Sequence, residues 1–130
     1  MKDRRMSGMK TKSFFTLLII SALITAVTGC GHPETYGEKI AKSNVTPLKD
    51  ILTYPKNYDG RTVTVKGKIA IECETGCWFN FKEGDAVIYV NLEPSGFAIP
   101  QRGGQNATVE GSVAIKDGKP ILIGRGVRIP

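Results

Sequence analysis

The sequence has few of the side chains from which most active sites are built. Its 130 residues include one histidine, three cysteines and one tryptophan, and its three methionines all precede residue 10. The histidine, His32, also lies near the N-terminus. The rest of the chain therefore lacks the histidine that a Ser–His or Cys–His nucleophile pair requires. This composition predicts a protein that is not an enzyme.

Long apolar runs are equally scarce, and the longest one stands close to the N-terminus. Five basic residues among the first twelve precede an apolar stretch at residues 14–27. This order is typical of a secretory signal peptide, and the stretch is shorter than the roughly 20 residues that cross a bilayer. It ends in Val27-Thr28-Gly29-Cys30, which resembles the lipobox of bacterial lipoproteins, where the cysteine is diacylated and becomes the mature N-terminus. An ordinary cleaved signal is the alternative.

These features predict three parts of the chain. Residues 1–29 are expected to be a removed lipoprotein signal peptide, residues 30–45 a lipidated N-terminus and flexible tether, and residues 46–130 a folded domain. The tether is predicted because residues 34–44 lack apolar periodicity. We expect a protein anchored by lipid in the cell membrane or the outer membrane, exposed to the periplasm or the cell exterior. Its expected partners are the membrane and an unknown envelope protein or small ligand.

Positive charge is less abundant than the whole sequence suggests. Residues 1–29 hold five of the eighteen basic residues and one of the twelve acidic residues, so thirteen basic and eleven acidic residues remain. The mature chain would carry a formal charge of +2 instead of +6. Nucleic-acid binding thereby loses its main support from the sequence, and we expect no nucleic-acid partner.

The domain is rich in apolar residues that alternate with polar ones, the pattern of half-buried β-strands. Val63, Val65, Ile69 and Ile71 are expected on one face of the first strand, where Gly67 indicates a bend or bulge. The segment TVKGKIAI at residues 64–71 is echoed by TVEGSVAI at residues 108–115. Two long strands with the same central glycine are expected in a small barrel, because a bent strand can serve two sides of it.

The predicted fold class is all-β, a small five-stranded OB-like barrel preceded by a short helix. Thr46 is expected as the helix N-cap and Pro47 as its first residue. Residues 93–105 are expected to form an irregular crossover. A small open β-sandwich and an SH3-like barrel are the alternatives.

Cys73 and Cys77 form the one concentration of reactive side chains in the domain. They can bond only if residues 74–76 fold back as a turn, which Gly76 favours. In an oxidising envelope a structural disulfide is the first interpretation. A soft-metal site for copper is the second, with His32 as a further ligand. Thiol–disulfide chemistry is the third, although the flanking acids Glu72 and Glu74 are expected to raise the pKa of Cys73.

An aromatic side chain follows the cysteine pair directly. If Phe79 and Phe81 point into the barrel, Trp78 points outward and Tyr89 on the next strand is placed to join it. Exposed aromatic residues on this face of an OB-fold stack against ligands, so Trp78 and Tyr89 are candidates for a ligand-binding face. The alternative is that Trp78 closes one end of the barrel as ordinary core.

The segments LTYPKNYDGRTVTVKGKI, CETGCWFNF, GFAIP and VEGSVAI resemble an uncharacterised family of small exported bacterial proteins. Its members share a Cys-x-x-Gly-Cys-Trp motif and a predicted OB-like barrel. The resemblance covers residues 46–129 and implies the fold; it implies no activity. The sequence as a whole therefore predicts a lipid-anchored, non-enzymatic binding or interaction module, with soft-metal binding or thiol-redox assistance as alternatives.

Overall fold

The structure is a computed structural model that describes residues 31–41 and 44–130. The predicted signal peptide and Cys30 lie outside these residues. Residues from His32 to Pro130 form one compact unit. Its elements are β1 (Glu34–Gly37), α1 (Leu48–Thr53), α2 (Pro55–Tyr58), β2 (Thr62–Glu72), β3 (Trp78–Glu83), β4 (Ala86–Asn91), a 3-10 helix (Glu93–Ser95), β5 (Asn106–Lys116) and β6 (Lys119–Ile129).

Five of the strands close into a barrel. Neighbours pair in the order β2, β3, β4, β6 and β5, and β5 returns to β2. All pairs are antiparallel except β4 with β6, which is parallel. Each barrel strand thus has two neighbours. The end of β6 extends past its pairing with β4 and has β1 on that side. The predicted all-β, five-stranded OB-like barrel with a preceding short helix is confirmed.

Glycines near the middle of the two long strands permit the closure. β2 pairs with β5 up to Lys68 and with β3 from Lys68 onward. At the junction, a Cβ on Gly67 would collide with the carbonyl oxygen of Lys82. Gly111 stands beside a register shift in β5, and a Cβ there would meet the carbonyl of Ile123. The echoed glycines thus mark places where backbones approach too closely for a side chain. An irregularity is present at Gly111 as predicted, whereas that of β2 lies beyond Gly67, between Ile69 and Glu72.

The barrel interior holds the predicted alternating apolar residues, with one exception. Phe79 and Phe81 are fully buried, with ring centroids 5.9 Å apart in an edge-to-face arrangement. Ile71 was expected on the buried face of β2, but its side chain is 63% exposed. The register of β2 against β3 shifts between Ile69 and Glu72, and this bulge turns the end of the strand outward. The largest other buried side chains are Leu48, Ile51, Ile69, Ile88, Leu92, Leu122 and Ile129.

The short helix α1 covers part of the barrel with Leu48 and Ile51, which are both buried. Its N-cap is Pro47, without a side-chain hydrogen bond, so the predicted capping by Thr46 is wrong. The Thr46 N–H donates to the carbonyl of Thr64 instead, because this segment runs beside β2. The 3-10 helix is followed by residues 96–105 without helix or strand, as expected for the crossover.

The predicted flexible tether is wrong for residues 34–37. These residues form β1, which pairs antiparallel with the end of β6, Glu34 opposite Ile129 and Gly37 opposite Gly126. Tyr36 packs against the core from this strand. A four-residue edge strand with one face in solvent shows almost no alternation of apolar and polar residues, so the sequence pattern did not predict β1. Within the residues described, no helix is both long and apolar enough to cross a membrane.

Candidate functional site: the Cys73–Cys77 turn and the adjoining sheet face

A tight turn connects β2 to β3 and carries both cysteines of the domain. The Gly76 N–H donates to the carbonyl of Cys73 at 2.9 Å, and the Cys73 N–H donates to the carbonyl of Trp78 at 3.0 Å. Gly76 has a positive φ of 72°, which glycine adopts without strain. The turn that the sequence required for a cysteine contact is therefore present.

The crossover loop holds this turn in place. The Ile99 N–H donates to the carbonyl of Gly76 at 3.1 Å. The Gln101 side chain donates from Nε2 to the carbonyls of Cys73 and Glu74, at 2.9 and 3.0 Å. The carbonyls of Glu74 and Gly76 thereby gain a donor, and the carbonyl of Cys73 gains a second one, so the crossover loop fixes the backbone around the thiols.

The two thiols are in contact with each other and with one hydroxyl. Both cysteines are free and partly buried, and their Sγ atoms lie 3.2 Å apart. The hydroxyl oxygen of Thr75 lies 3.2 Å from Cys73 Sγ and 3.4 Å from Cys77 Sγ. When Cys73 loses its proton, the Thr75 hydroxyl and the Cys77 thiol can both donate to its sulfur. Thr75 is a functional candidate that the sequence analysis missed.

This arrangement separates the acidities of the two thiols. The hydrogen bond from Thr75, followed by the one from Cys77, lowers the pKa of Cys73 from 9.0 to about 7. At Cys77 the hydrogen bond from Thr75 also lowers the pKa, but the hydrogen bond to Cys73, desolvation and the negative charges of Cys73 and Glu93 together raise it. The expectation that Glu72 and Glu74 would raise the pKa of Cys73 is wrong, because hydrogen bonds inside the turn dominate.

Glu72 has a different role from the one expected. Its carboxylate accepts hydrogen bonds from the main-chain N–H groups of Arg102, at 2.8 and 3.0 Å, and Gly103, at 2.7 Å. The bulge at the end of β2 directs this side chain toward the crossover loop, where it binds two backbone donors. Glu72 therefore ties the loop to β2 beside the cysteine turn.

His32, the third ligand proposed from the sequence for a metal, is exposed. In the described part of the chain, no group of three or more His, Cys, Asp or Glu side chains could hold a metal ion. The structure thus brings Cys73 and Cys77 together without placing His32 in a three-ligand group with them. Copper binding by two thiolates stays a prediction, since Cu(I) accepts few soft ligands.

Trp78 and Tyr89 form an aromatic pair on the outer face of the sheet. Their ring centroids lie 5.5 Å apart with an angle of 33° between the planes. Trp78 is half-buried and outside the core cluster, and Tyr89 is 36% exposed. Desolvation, followed by the negative charges of Cys77 and Glu93, raises the pKa of Tyr89. Because Trp78 directly follows Cys77 in the chain, the aromatic pair adjoins the cysteine turn.

The same outer face continues along β2, β3 and β4 away from the cysteines. Asn80 lies opposite Tyr89, and Lys82 lies between Lys68 and Val87. Directly opposite residues project from the same face of a sheet. The surface therefore has the cysteine turn and the aromatic rings at one end and lysines at the other.

The chain matches none of the protein-family models and none of the curated proteins with which it was compared. Among solved structures it is similar to the hypothetical protein YgiW from E. coli, at 16% identity and a TM-score of 0.50, over 68% of this chain and 91% of that one. It is also similar to a protein described as an aspartyl-tRNA synthetase from Leishmania major Friedlin, at 11% identity and a TM-score of 0.51, over 72% of this chain. The chain spans only 23% of that second protein. At these identities the likeness concerns the fold, and the fold is a small OB-like barrel.

Proposed function

We propose that this protein is a lipid-anchored component of the bacterial cell envelope whose OB-like barrel acts as a non-enzymatic binding module. Cys30 would carry the lipid, and the surface formed by Trp78, Tyr89 and the Cys73–Cys77 turn would bind an envelope protein or a small ligand. The polar residues on this surface lack the histidine that general acid–base chemistry most often uses.

The observation that carries this proposal is the position of the aromatic pair. Trp78 and Tyr89 stack on the outside of the barrel while Phe79 and Phe81 fill its interior. Partly exposed aromatic rings on a sheet face bind planar or apolar groups with little loss of side-chain entropy, since the strands fix them. A ligand on these rings would also reach the thiols at the end of the same face.

Two measurements on whole cells test the anchor and the compartment together. Labelled palmitate should enter the protein and should be absent from a Cys30→Ser variant. A membrane-impermeant maleimide should label Cys73 and Cys77 in spheroplasts after mild reduction. Absence of palmitate from the protein, with cysteines protected until the cells are lysed, would refute the proposal.

The hydroxyl between the sulfurs favours a second function, thiol–disulfide exchange with an envelope protein. The Cys73 thiolate would attack a disulfide of that protein, forming a mixed disulfide and releasing one partner thiolate. Cys77, after giving up its proton, would attack the Cys73 sulfur and release the second partner thiol. The products are a Cys73–Cys77 disulfide and a reduced partner, so the two electrons come from the pair and the partner disulfide accepts them.

Mass spectrometry separates this function from copper binding and from a purely structural disulfide. Exchange predicts that oxidised glutathione removes two hydrogens from the reduced protein and that Cys77→Ser traps a mixed disulfide on Cys73. A stable Cu(I) adduct that disappears in Cys73→Ser would support the metal instead. A disulfide that resists reduced glutathione would support the structural interpretation.

A further inference from the structure

A groove lined by basic residues crosses the outside of the barrel at the end of the sheet face that is far from the cysteines. Two adjoining clefts of ≈ 580 and ≈ 450 Å³ share Gly67, Glu83 and Asn106 in their walls. We call this feature the basic groove. Its cations are Lys66, Lys68, Lys82 and Arg128.

The strand register concentrates these cations on one face. Lys68 lies directly opposite Lys82, and Thr108 lies opposite both Lys66 and Arg128. Like charges directly opposite each other destabilise a sheet. None of the four cations forms an ion pair within residues 31–41 and 44–130, and Glu83 is the acid in the groove wall. The excess positive charge suits a ligand with several negative charges.

The N-terminal strand places the expected lipid close to this groove. Thr35 lies opposite Arg128, and Glu34 lies opposite Ile129, beside the Pro130 that lines the larger cleft. Cys30 precedes Glu34 by four residues, which span at most about 14 Å when fully extended. An acylated Cys30 would therefore hold the open end of the basic groove within reach of the bilayer surface.

We propose that the basic groove docks onto anionic phospholipid headgroups of the membrane that holds the lipid anchor. This inference rests on the proposed lipid anchoring at Cys30. The two attachments complement each other, since acyl chains combined with a cluster of basic residues hold a protein at a membrane more firmly than either does alone. Val87 lies opposite Lys82 and is 45% exposed, so it adds an apolar contact at the edge of the groove.

The test uses lysine labelling of the mature protein, purified from membranes and placed in nanodiscs. One set of discs contains phosphatidylcholine alone, and the other contains equal amounts of phosphatidylcholine and phosphatidylglycerol. An amine-reactive reagent should modify Lys66, Lys68 and Lys82 at least about fivefold more slowly in the anionic discs than in the phosphatidylcholine discs. This factor corresponds to the attraction of one basic residue to an anionic membrane surface. High salt should abolish the protection.

The β5–β6 hairpin provides a matched control. Lys116 and Lys119 also lie opposite each other, and both are exposed, so their labelling should be equal in the two kinds of disc. For the mature chain prepared without residues 1–29 and with Cys30→Ser, K68Q/K82Q should weaken binding to phosphatidylglycerol vesicles roughly 30-fold. K116Q/K119Q should leave that binding unchanged.

The outcomes separate this inference from the proposed anchor. Equal lysine labelling in both discs overturns the docking surface, and so does protection by a single-stranded oligonucleotide but not by phosphatidylglycerol. The mass of the N-terminal peptide in the same digest reports acylation of Cys30. A chain without acyl groups refutes the proposed anchor, whereas lysine protection by anionic vesicles would still support the groove as a headgroup site.

Discussion

The Thr75 hydroxyl oxygen lies 3.2 Å from Cys73 Sγ, within a turn of the main chain that also brings Cys77 into contact. Reactive cysteines usually owe their low pKa to a cation or a helix N-terminus. Here the hydrogen bond from Thr75 makes the largest contribution, and the thiol of Cys77 makes the next largest. Thr75 lowers the pKa of both thiols, whereas the hydrogen bond between the thiols lowers that of Cys73 and raises that of Cys77. The contact between the sulfurs therefore favours Cys73 as the first thiolate.

Replacing Thr75 with valine should slow the reaction of Cys73 with iodoacetamide at neutral pH. Valine keeps the branched shape but removes the hydroxyl, so the pKa of Cys73 should rise from about 7 toward its ordinary value of 9.0. The thiolate fraction near pH 7 should fall by about tenfold. The rate of alkylation as a function of pH, followed by peptide mass spectrometry, measures this shift.

Thr75→Ser is the matched control, because it restores the hydroxyl on a smaller side chain. It should keep the pKa of Cys73 close to that of the natural protein. An alkylation profile for Thr75→Val that coincides with the natural one would show that the Thr75 hydroxyl does not lower the pKa of Cys73, and would leave the shift to the Cys77 thiol and the backbone N–H groups of the turn.

The stability of the reduced protein should rise from about pH 7 toward pH 9. The folded pKa of Cys73 is lowered, so its thiolate stabilises the fold above the unfolded pKa, and this stability is lost as the pH falls through about 7. The raised pKa of Cys77 acts in the opposite direction, but only as the pH passes its unfolded value. Urea unfolding at several pH values measures the slope, which Cys73→Ser should remove. An unchanged slope in that variant would assign the pH dependence to another group.

Oxidation of the pair should stabilise the barrel by about 2 kcal/mol, the value expected for closing a very short loop in the unfolded chain. The turn already holds the sulfurs 3.2 Å apart, so bond formation requires little movement of the backbone. Thermal unfolding with and without a reducing agent measures the difference. Cys77→Ser should show no response to the reducing agent. A higher melting temperature for the reduced form would contradict a structural role for the disulfide.

Much of the barrel was predictable because its physical causes are local. Alternation placed Phe79 and Phe81 in the interior and Trp78 on the outer face, and the echoed Gly67 and Gly111 marked two close backbone approaches. The first signal is the alternation of apolar and polar residues, and the second is the presence of glycine. Both can be recognised from a few neighbouring residues.

The unpredicted features all depend on partners that are distant in sequence or on the geometry of one turn. β1 exists because the end of β6 offers an edge to residues 34–37, about 90 positions earlier in the chain. Glu72 binds loop donors at Arg102 and Gly103. The Thr75 hydroxyl lies within hydrogen-bond distance of both sulfurs, and the spacing of the cysteines in the sequence does not reveal this contact.

Gly76→Ala should destabilise the protein far more than Gly84→Ala. Both glycines have a positive φ, 72° and 58°, but a Cβ on Gly76 would collide with the backbone of Ile99, whereas Gly84 faces open space. We expect about 1 kcal/mol for Gly84→Ala from backbone strain alone. For Gly76→Ala we expect about 3 kcal/mol or more, because the crossover loop must also move. Urea denaturation measures the free energy of unfolding of both variants. Equal decreases would show that the crossover loop moves away from the new Cβ without a loss of stability.

Tyr36→Ser should release β1 from the barrel. Tyr36 packs against the core, and its hydroxyl donates to the Glu34 carboxylate at 2.9 Å. Loss of about 1.4 kcal/mol from a partly buried aromatic residue should accelerate hydrogen exchange in residues 34–40 roughly tenfold. Exchange in β5 should be unaffected. Tyr54→Ser is the control, since Tyr54 is 60% exposed.

Hydrogen exchange of the natural protein shows directly whether β1 is docked on the barrel. If residues 34–37 exchange at the rate of an unstructured chain, β1 is undocked in solution. Cys30 would then be joined to the barrel by a flexible segment of about fourteen residues, which spans roughly 20 Å on average. If they are protected, only the four-residue step from Cys30 to Glu34 remains free. Protection of β1 is therefore the condition under which the proposed lipid anchor at Cys30 would hold the basic groove against a membrane.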